Sequence, residues 1–127
     1  MGRENAPHRH TKLNLDIMNI ENSLISTALL ALQQSGELRF TMNGGDNEDK
    51  SGFWFKGYAN EDEDDETQLE TFIYMNPESP TGYSVMVDIL DDETLTILDK
   101  PIESFRQFQL IFRPNYIQEV FDAHHKN

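Results

Sequence analysis

The spacing of apolar residues changes at Gly36, and this change constrains the fold more than any other feature of the chain. Before Gly36, apolar residues recur at steps of three and four, which is the pattern of an amphipathic helix. After Gly36, apolar and polar residues alternate, which is the pattern of half-buried strands. The sequence therefore predicts a long helix followed by a β-sheet.

The helix is predicted to begin near Asn14 or Asp16, since either residue can cap a first turn, and to end at Gly36. An apolar stripe along this helix is expected to face the core of the protein. The stripe consists of Ile17, Ile20, Leu24, Ala28 and Ala31, with Leu13, Ile25, Leu29 and Leu32 widening it.

Six later segments have strand character and are separated by turn-forming residues. They are residues 37–43, 53–58, 69–75, 83–90, 94–98 and 105–112. In the first segment, alternation predicts a buried face of Leu38, Phe40 and Met42. In the third segment, it predicts a buried face of Leu69, Thr71, Ile73 and Met75.

A short helix is predicted at the end of the chain, with Pro114 near its first turn. The face of this helix that packs on the sheet is expected to contain Ile117, Val120, Phe121 and His124. The fold class is therefore α+β: an antiparallel β-meander of five or six strands, with the N-terminal helix and the short C-terminal helix packed on it.

The length of 127 residues predicts one domain. Residues 1–12 are polar and basic without apolar periodicity, and we expect them to form a flexible arm. Residues 13–127 are expected to form a single acidic domain. The first twenty residues contain no apolar core of a secretory signal, and no apolar run reaches the roughly 18 residues of a membrane span, so we expect a cytoplasmic protein.

The composition argues against most kinds of catalysis. The absence of cysteine excludes disulfides, thiol catalysis and cysteine-ligated metal sites. No G-x-S-x-G turn, phosphate-binding glycine loop or calcium-loop pattern occurs. Most carboxylates fall in predicted loops, and Asp88, which lies within a strand, is expected on the polar face of the sheet. We therefore expect no enzymatic activity, no cofactor and no metal.

The charge is strongly negative and unevenly distributed. Ten Lys and Arg residues against 23 Asp and Glu residues give a net charge of −13. Because Arg3, Arg9 and Lys12 outweigh Glu4, the first twelve residues carry +2 and the remainder carries −15. Such a protein repels nucleic acids and anionic membranes and attracts basic surfaces. The expected partner is a basic protein, with no direct contact to nucleic acid or membrane.

Six consecutive carboxylates, at residues 61–66, follow the second predicted strand. In an up-and-down meander the loop after the fourth strand lies at the same end of the sheet, and that loop contains three more. These nine residues, named here the acidic cluster, are Glu61, Asp62, Glu63, Asp64, Asp65, Glu66, Asp91, Asp92 and Glu93. The opposite end of the sheet is expected to hold a weaker group, consisting of Asp46, Glu48, Asp49 and Glu78.

Two interpretations of the acidic cluster stay open. It forms either a solvated loop that keeps the protein soluble or a partner-binding surface that imitates a nucleic-acid backbone, with carboxylates at an extended spacing of roughly 3.3 Å per residue. On the second interpretation the protein inhibits a basic, nucleic-acid-processing partner. Phage anti-restriction and anti-CRISPR proteins, and immunity proteins against nuclease toxins, share this compositional profile, which is an analogy and not a family resemblance.

Two aromatic residues are candidates for anchoring a partner. Trp54 and Tyr58 are expected on the face of the second strand opposite Phe53 and Phe55, where exposed Trp and Tyr side chains would form a binding hot spot. The alternative function is an interaction or assembly module that uses a strand edge or this aromatic face. Such a module could be a homodimer. In that case the acidic residues serve only solubility.

Overall fold

A computed structural model describes residues 2–42 and 50–126, with side chains described from Asp16 onward. The chain folds into a sheet with helices before and after it, so the predicted α+β class is confirmed. In chain order the elements are α1 (Gly2–Gln34), β1 (Arg39–Thr41), β2 (Gly52–Asn60), β3 (Glu66–Met75), β4 (Tyr83–Leu90), β5 (Thr94–Pro101), α2 (Phe105–Ile111) and α3 (Tyr116–Lys126).

The sheet is an antiparallel meander with the strand order β1-β2-β3-β4-β5, as the short connections predicted. β2, β3 and β4 form its centre, and the register pairs Trp54 with Phe72 and Phe72 with Met86. The ladder between β4 and β5 has an irregularity at Val87 and Asp88. This topology places the β2–β3 and β4–β5 connections at the same end of the sheet.

The predicted sixth strand at residues 105–112 is wrong, because most of this segment forms helix α2. The Ser104 side chain caps the helix by accepting the Gln107 N–H at 3.1 Å. The Gln107 side chain in turn accepts the Glu103 N–H at 2.9 Å, which completes a reciprocal cap close to the S-x-x-Q capping box. Phe108 and Ile111 are then three residues apart on the buried face.

Helix α1 begins earlier than predicted. It includes residues 2–12, which were predicted to form a flexible arm, and no glycine interrupts the chain between Gly2 and Gly36. The flexibility of residues 1–12 stays a prediction. The end of the helix is as expected: Gly36 adopts a φ of 86°, and the N–H groups of Glu37 and Leu38 both donate to the Leu32 carbonyl.

The predicted apolar stripe of α1 is only partly correct. Ile25 and Leu29 are completely buried, and Ala28 and Leu32 pack against the same core cluster. The side chain of Leu13 lies outside the described part of the chain. Ile17, Ile20 and Leu24, predicted as core residues, are 43%, 59% and 44% exposed. The helix carries two apolar faces, and the core of the protein contacts the one centred on Ile25 and Leu29.

The sheet is buried on both faces at its centre. On the helix-covered face, Phe53, Ile73 and Val85 pack with Ile25 and Leu29. On the opposite face, a second buried cluster is formed by Phe72, Tyr74 and Met86, with Trp54 packed against it. Alternation correctly placed Leu38, Leu69, Thr71 and Ile73 in the interior. Phe40, Met42 and Met75 are exposed, because Phe40 lies on the edge strand β1, Met42 follows that strand and Met75 ends β3.

Helix α3 packs across the sheet as predicted. Its Phe121 is buried among Ala59, Leu69, Val87 and Ile89, with Ile117 and Val120 beside it. Within the described part of the chain, no helix has the length and apolarity needed to cross a membrane.

Candidate partner-binding surface

The structure brings the nine residues of the acidic cluster to one end of the sheet. Glu61 to Asp65 form the connection between β2 and β3, and Asp91 to Glu93 form the connection between β4 and β5. All nine side chains are exposed. Because β3 and β4 are neighbours, roughly 4.8 Å apart, the two connections lie next to each other. At the opposite end, Glu78 is exposed, while residues 46, 48 and 49 lie outside the described part of the chain.

The connection between β2 and β3 is a tight turn and not an extended segment. The Glu61 N–H donates to the Asp65 carbonyl at 3.0 Å, and the Asp62 carboxylate accepts the N–H groups of Asp64 and Asp65 at 2.9 and 3.0 Å. An aspartate commonly organises a turn in this way. The expected extended spacing is therefore wrong for these residues: they form a compact tip in which the Asp62 carboxylate binds the backbone of the turn.

The base of this turn is tied to helix α3. The Gln118 side chain accepts the Asn60 N–H at 2.8 Å and donates to the Asn60 carbonyl at 3.0 Å. It also donates to Asp122 one helical turn later, at 3.0 Å. This paired contact fixes the last residue of β2 and so holds the direction in which the 61–65 turn leaves the sheet. It depends on a residue 58 positions away, so no local sequence signal identifies it.

Tyr58 lies beside the acidic cluster and Trp54 does not. Tyr58 is 57% exposed, three residues before Glu61, and its hydroxyl accepts a hydrogen bond from Gln68 at 3.3 Å. Trp54 lies four residues before Tyr58 on β2, so the two residues are roughly 13 Å apart at 3.3 Å per residue. The two predicted anchors therefore belong to different parts of the surface.

The surroundings of Trp54 are basic. The Arg39 guanidinium and the Lys56 ammonium each lie 5.7 Å from the centre of its ring system, within the range of cation–π attraction. The Lys50 ammonium lies 5.3 Å from the Tyr74 ring on the same face. Two cations thus lie over Trp54, and we expect a basic partner to contact Tyr58 but not Trp54.

Asp88 is buried and not simply on a polar face. It accepts a hydrogen bond from the Thr96 hydroxyl at 2.6 Å, and its neighbour across β3 is Glu70. Glu70 is half-buried, and Asp88 lies three residues before Asp91 of the acidic cluster. The hydrogen bond from Thr96 explains how a carboxylate is tolerated on this strand.

A shallow concave region of about 340 Å³ lies between β5 and α3. Tyr116, Lys100, Glu119 and His124 supply its polar groups. The Tyr116 hydroxyl is buried and makes no hydrogen bond within the described part of the chain. Across residues 2–42 and 50–126, no group of three or more His, Cys, Asp or Glu side chains is arranged to hold a metal ion.

We expect alkaline pH to destabilise the protein through two tyrosines. Burial, assisted by a 2.6 Å hydrogen bond from its hydroxyl to Asp99, raises the pKa of Tyr74 from 10.0 to about 12, and burial raises the pKa of Tyr116 to about 12. Between pH 10 and about 12 the folded state therefore holds more protons than the unfolded state, so the free energy of unfolding falls as pH rises.

Urea denaturation at a series of pH values measures this fall. Tyr74→Phe should remove part of the pH dependence, and the double variant with Tyr116→Phe should remove more. An unchanged slope in the double variant would assign the effect to other groups.

The acidic cluster is thus the one place where the described structure gathers the carboxylates predicted for partner binding, with Tyr58 at its border. No protein-family model, curated protein sequence or solved structure matches this chain.

Proposed function

We propose that the protein is a non-enzymatic binding protein whose acidic cluster occupies the nucleic-acid-binding site of a basic protein and inhibits it. The observation that carries this proposal is the exposure of nine carboxylates on two neighbouring hairpins, in a chain of net charge −13. A site whose Lys and Arg side chains bind phosphates also attracts carboxylates, because both groups are negatively charged. The proposed inhibitor is of the same general type as anti-restriction, anti-CRISPR and nuclease-immunity proteins.

The physical advantage of such a surface lies in electrostatic steering and counterion release. Clustered charge of one sign speeds encounter with an oppositely charged site, and the effect weakens as salt screens it. An inhibitor of this type competes directly with nucleic acid. Its complex should therefore dissociate both in high salt and in excess DNA.

The turn geometry favours a compact basic site as the target. Asp62 and Gln118 hold the 61–65 turn of the acidic cluster in a defined position before any partner arrives, so less conformational entropy is lost on binding. A compact tip of exposed carboxylates at residues 61–65 suits a cluster of Lys and Arg side chains better than a long, straight groove.

We expect the triple variant Glu63→Gln, Asp64→Asn, Asp65→Asn to lose most of its partner binding. Asp62 is left in place because its carboxylate caps the turn. At about 0.2–1 kcal/mol for each exposed charge contact, three contacts correspond to a loss of roughly threefold to roughly a hundredfold in affinity. The measurement is a pull-down from bacterial lysate with the tagged protein, eluted by a salt step or by DNA and analysed by mass spectrometry.

A matched control separates the position of the charges from their number. The variant Glu37→Gln, Glu78→Gln, Glu103→Gln also removes three exposed carboxylates, but at sites remote from the acidic cluster. It should retain the partner. Equal loss in both triple variants would mean that only net charge matters, and retention by both would make the acidic cluster a solvated loop.

The second candidate function, an assembly module, is favoured by a different observation. The apolar stripe of Ile17, Ile20 and Leu24 on α1 is exposed in the single chain. A partner recovered in the pull-down that survives the salt step would favour this function, because apolar burial is not screened by salt.

A further inference from the structure

The concave region of about 340 Å³ between β5 and α3, named here the β5–α3 hollow, has an apolar wall. Ile97 and Leu98 supply it from the strand, and Val120 supplies it from the helix. Sites that bind small molecules typically begin at roughly 300 Å³ and combine an apolar lining with a few polar groups. The hollow is therefore large enough for a small ligand with an apolar body.

The register of β5 explains why two consecutive apolar residues line the hollow. Val87 is level with Leu98. The next residue, Asp88, is level with Thr96, so Ile97 is an extra residue in the ladder. In a regular strand, consecutive side chains point to opposite faces. The extra residue breaks this alternation, and Ile97 and Leu98 both pack against the buried cluster under α3. A β-bulge beside a binding site redirects a side chain in this way.

Tyr116 also lines the hollow, and its hydroxyl is unsatisfied. The oxygen is buried and makes no hydrogen bond within the described part of the chain. Most buried hydroxyl groups have a hydrogen-bond partner, because an unpaired one is costly. Burial raises the pKa of Tyr116 to about 12, so the hydroxyl keeps its proton near neutral pH and can donate it. The missing acceptor is expected to come from a ligand.

Lys100 places a positive charge at the hollow. It is level with Val85, a residue of the core on the helix-covered face of the sheet. The ammonium group makes no ion pair with another residue in the described part of the chain, although it belongs to a protein with 23 carboxylate side chains. Its charge is therefore free to meet that of a ligand.

The other polar groups at the hollow do not cancel this charge. Glu119 is already engaged, because its carboxylate accepts a hydrogen bond from the Asn115 side chain at 2.8 Å, one helical turn earlier. The ring of His124 contacts His125 edge-on, with 5.5 Å between the ring centres. An imidazole carries an N–H donor in both its neutral and its charged form. Donors therefore outnumber free acceptors around the hollow.

We propose that the β5–α3 hollow binds an amphiphilic carboxylate, with an apolar chain of about eight to ten carbons and one carboxylate group. The chain covers Ile97, Leu98 and Val120. The carboxylate accepts hydrogen bonds from Lys100 and Tyr116. The site is separate from the acidic cluster, and the proposal does not rest on the function proposed for that cluster.

The net charge of −13 does not prevent an anion from binding here. Lys100 lies seven residues after Glu93 of the acidic cluster, roughly 23 Å along the strand at 3.3 Å per residue. At physiological salt, exposed charges separated by more than roughly 8 Å are largely screened. Asp99 is closer, but it is level with Met86 on the opposite face of the sheet and accepts a hydrogen bond from Tyr74 there. The groups that line the hollow therefore dominate the field at the site.

Isothermal titration calorimetry of the full chain with decanoate at neutral pH tests the proposal. The wild type should bind decanoate with a Kd on the order of 10–100 μM, the range expected of a ligand of this size. Decan-1-ol has the same chain without the charge, and butyrate has the charge with a much shorter chain. Each should bind at least about fivefold more weakly than decanoate.

Lys100→Gln should weaken the binding of decanoate about fivefold and leave that of decan-1-ol unchanged, because only the acid carries a charge. The matched control is Lys56→Gln. It removes the same charge from a second hollow of about 330 Å³, beside Trp54, and should bind decanoate like the wild type.

Tyr116→Phe keeps the ring and removes the hydroxyl. It should weaken the binding of decanoate about tenfold, because a hydrogen bond to a charged group is lost. In urea denaturation without ligand, the same variant should be as stable as the wild type or more stable, since no unpaired buried hydroxyl is left. A merely structural role for the hydroxyl would predict a loss of stability instead.

Amide chemical shifts of the isotope-labelled protein locate the ligand. Decanoate should shift the resonances of residues 95–100 and 116–124, and those of the 61–65 turn should stay in place. The proposal is overturned by a wild type that does not bind decanoate, by decan-1-ol binding as tightly, by equal effects of Lys100→Gln and Lys56→Gln, or by shifts elsewhere in the chain. If raising the protein concentration alone shifts the same resonances, a second copy occupies the hollow, and the proposal is likewise wrong.

Discussion

Replacing Phe72 by alanine should lower the free energy of unfolding by about 3–5 kcal/mol. The ring of Phe72 is 1% exposed and lies on the face of β3 opposite the helices. It packs against Met86 and Tyr74, with its ring centre 5.7 Å from that of Tyr74. The neighbours belong to a rigid sheet and cannot close over the vacated volume, so the cavity persists and adds to the lost transfer free energy.

Met75→Ala, three residues later on the same strand, is the matched comparison. Met75 is 47% exposed, and its truncation should change stability by less than about 1 kcal/mol. Urea denaturation of the two variants measures the difference. The sequence pattern alone predicts the opposite order, because alternation places Met75 with Leu69 and Ile73. A large loss in Met75→Ala with a small loss in Phe72→Ala would support that pattern against the structure.

The difficulty with β3 is that both of its faces are apolar over part of its length. Alternation of Leu69, Thr71 and Ile73 predicts that one face of the strand is buried. Alternation of Phe72 and Tyr74 predicts that the other face is buried. A sequence pattern identifies the strand but does not show that a sheet is covered on both sides. That depends on neighbours across the sheet, here Trp54 and Met86.

The same limit explains the errors in the helices. In α1, two interleaved sets of apolar residues have helical spacing, and only packing selects Ile25 and Leu29 for the core. In residues 105–112, apolar residues fit strand and helix spacing equally well. The deciding signal was local and present in the sequence: Ser104 and Gln107 form a helix cap.

For the candidate site, the position of the acidic cluster was predictable and its detailed geometry was not. A meander places alternate loops at one end of the sheet, so Glu61 and Asp91 could be brought together without knowledge of the side chains. The turn at Asp62 and the contact from Gln118 depend on backbone conformation and tertiary packing. The basic surroundings of Trp54 depend on the register that pairs it with Arg39.

Gly52→Ala is the second substitution expected to have a large effect. Gly52 begins β2 and lies between Thr41 and Tyr74 in the sheet. A Cβ atom at this position would lie 2.6 Å from the Tyr74 Cα and closer still to the Ile73 carbonyl oxygen. Both atoms belong to the backbone of the central strand, so relief requires β2 and β3 to separate. We expect a loss of about 3 kcal/mol or more in the free energy of unfolding.

Gly57→Ala provides the control within the same strand. A Cβ atom at residue 57 would also overlap a neighbour, but that neighbour is Cδ1 of Ile117, the free end of a half-buried side chain on α3. Rotation of this side chain relieves the overlap without moving the backbone, so the expected loss is at most about 1 kcal/mol. Urea denaturation of both variants gives the comparison. Equal, small losses would mean that β2 and β3 can separate at Gly52 without cost, and the close approach of their backbones would then not be a constraint on the sheet.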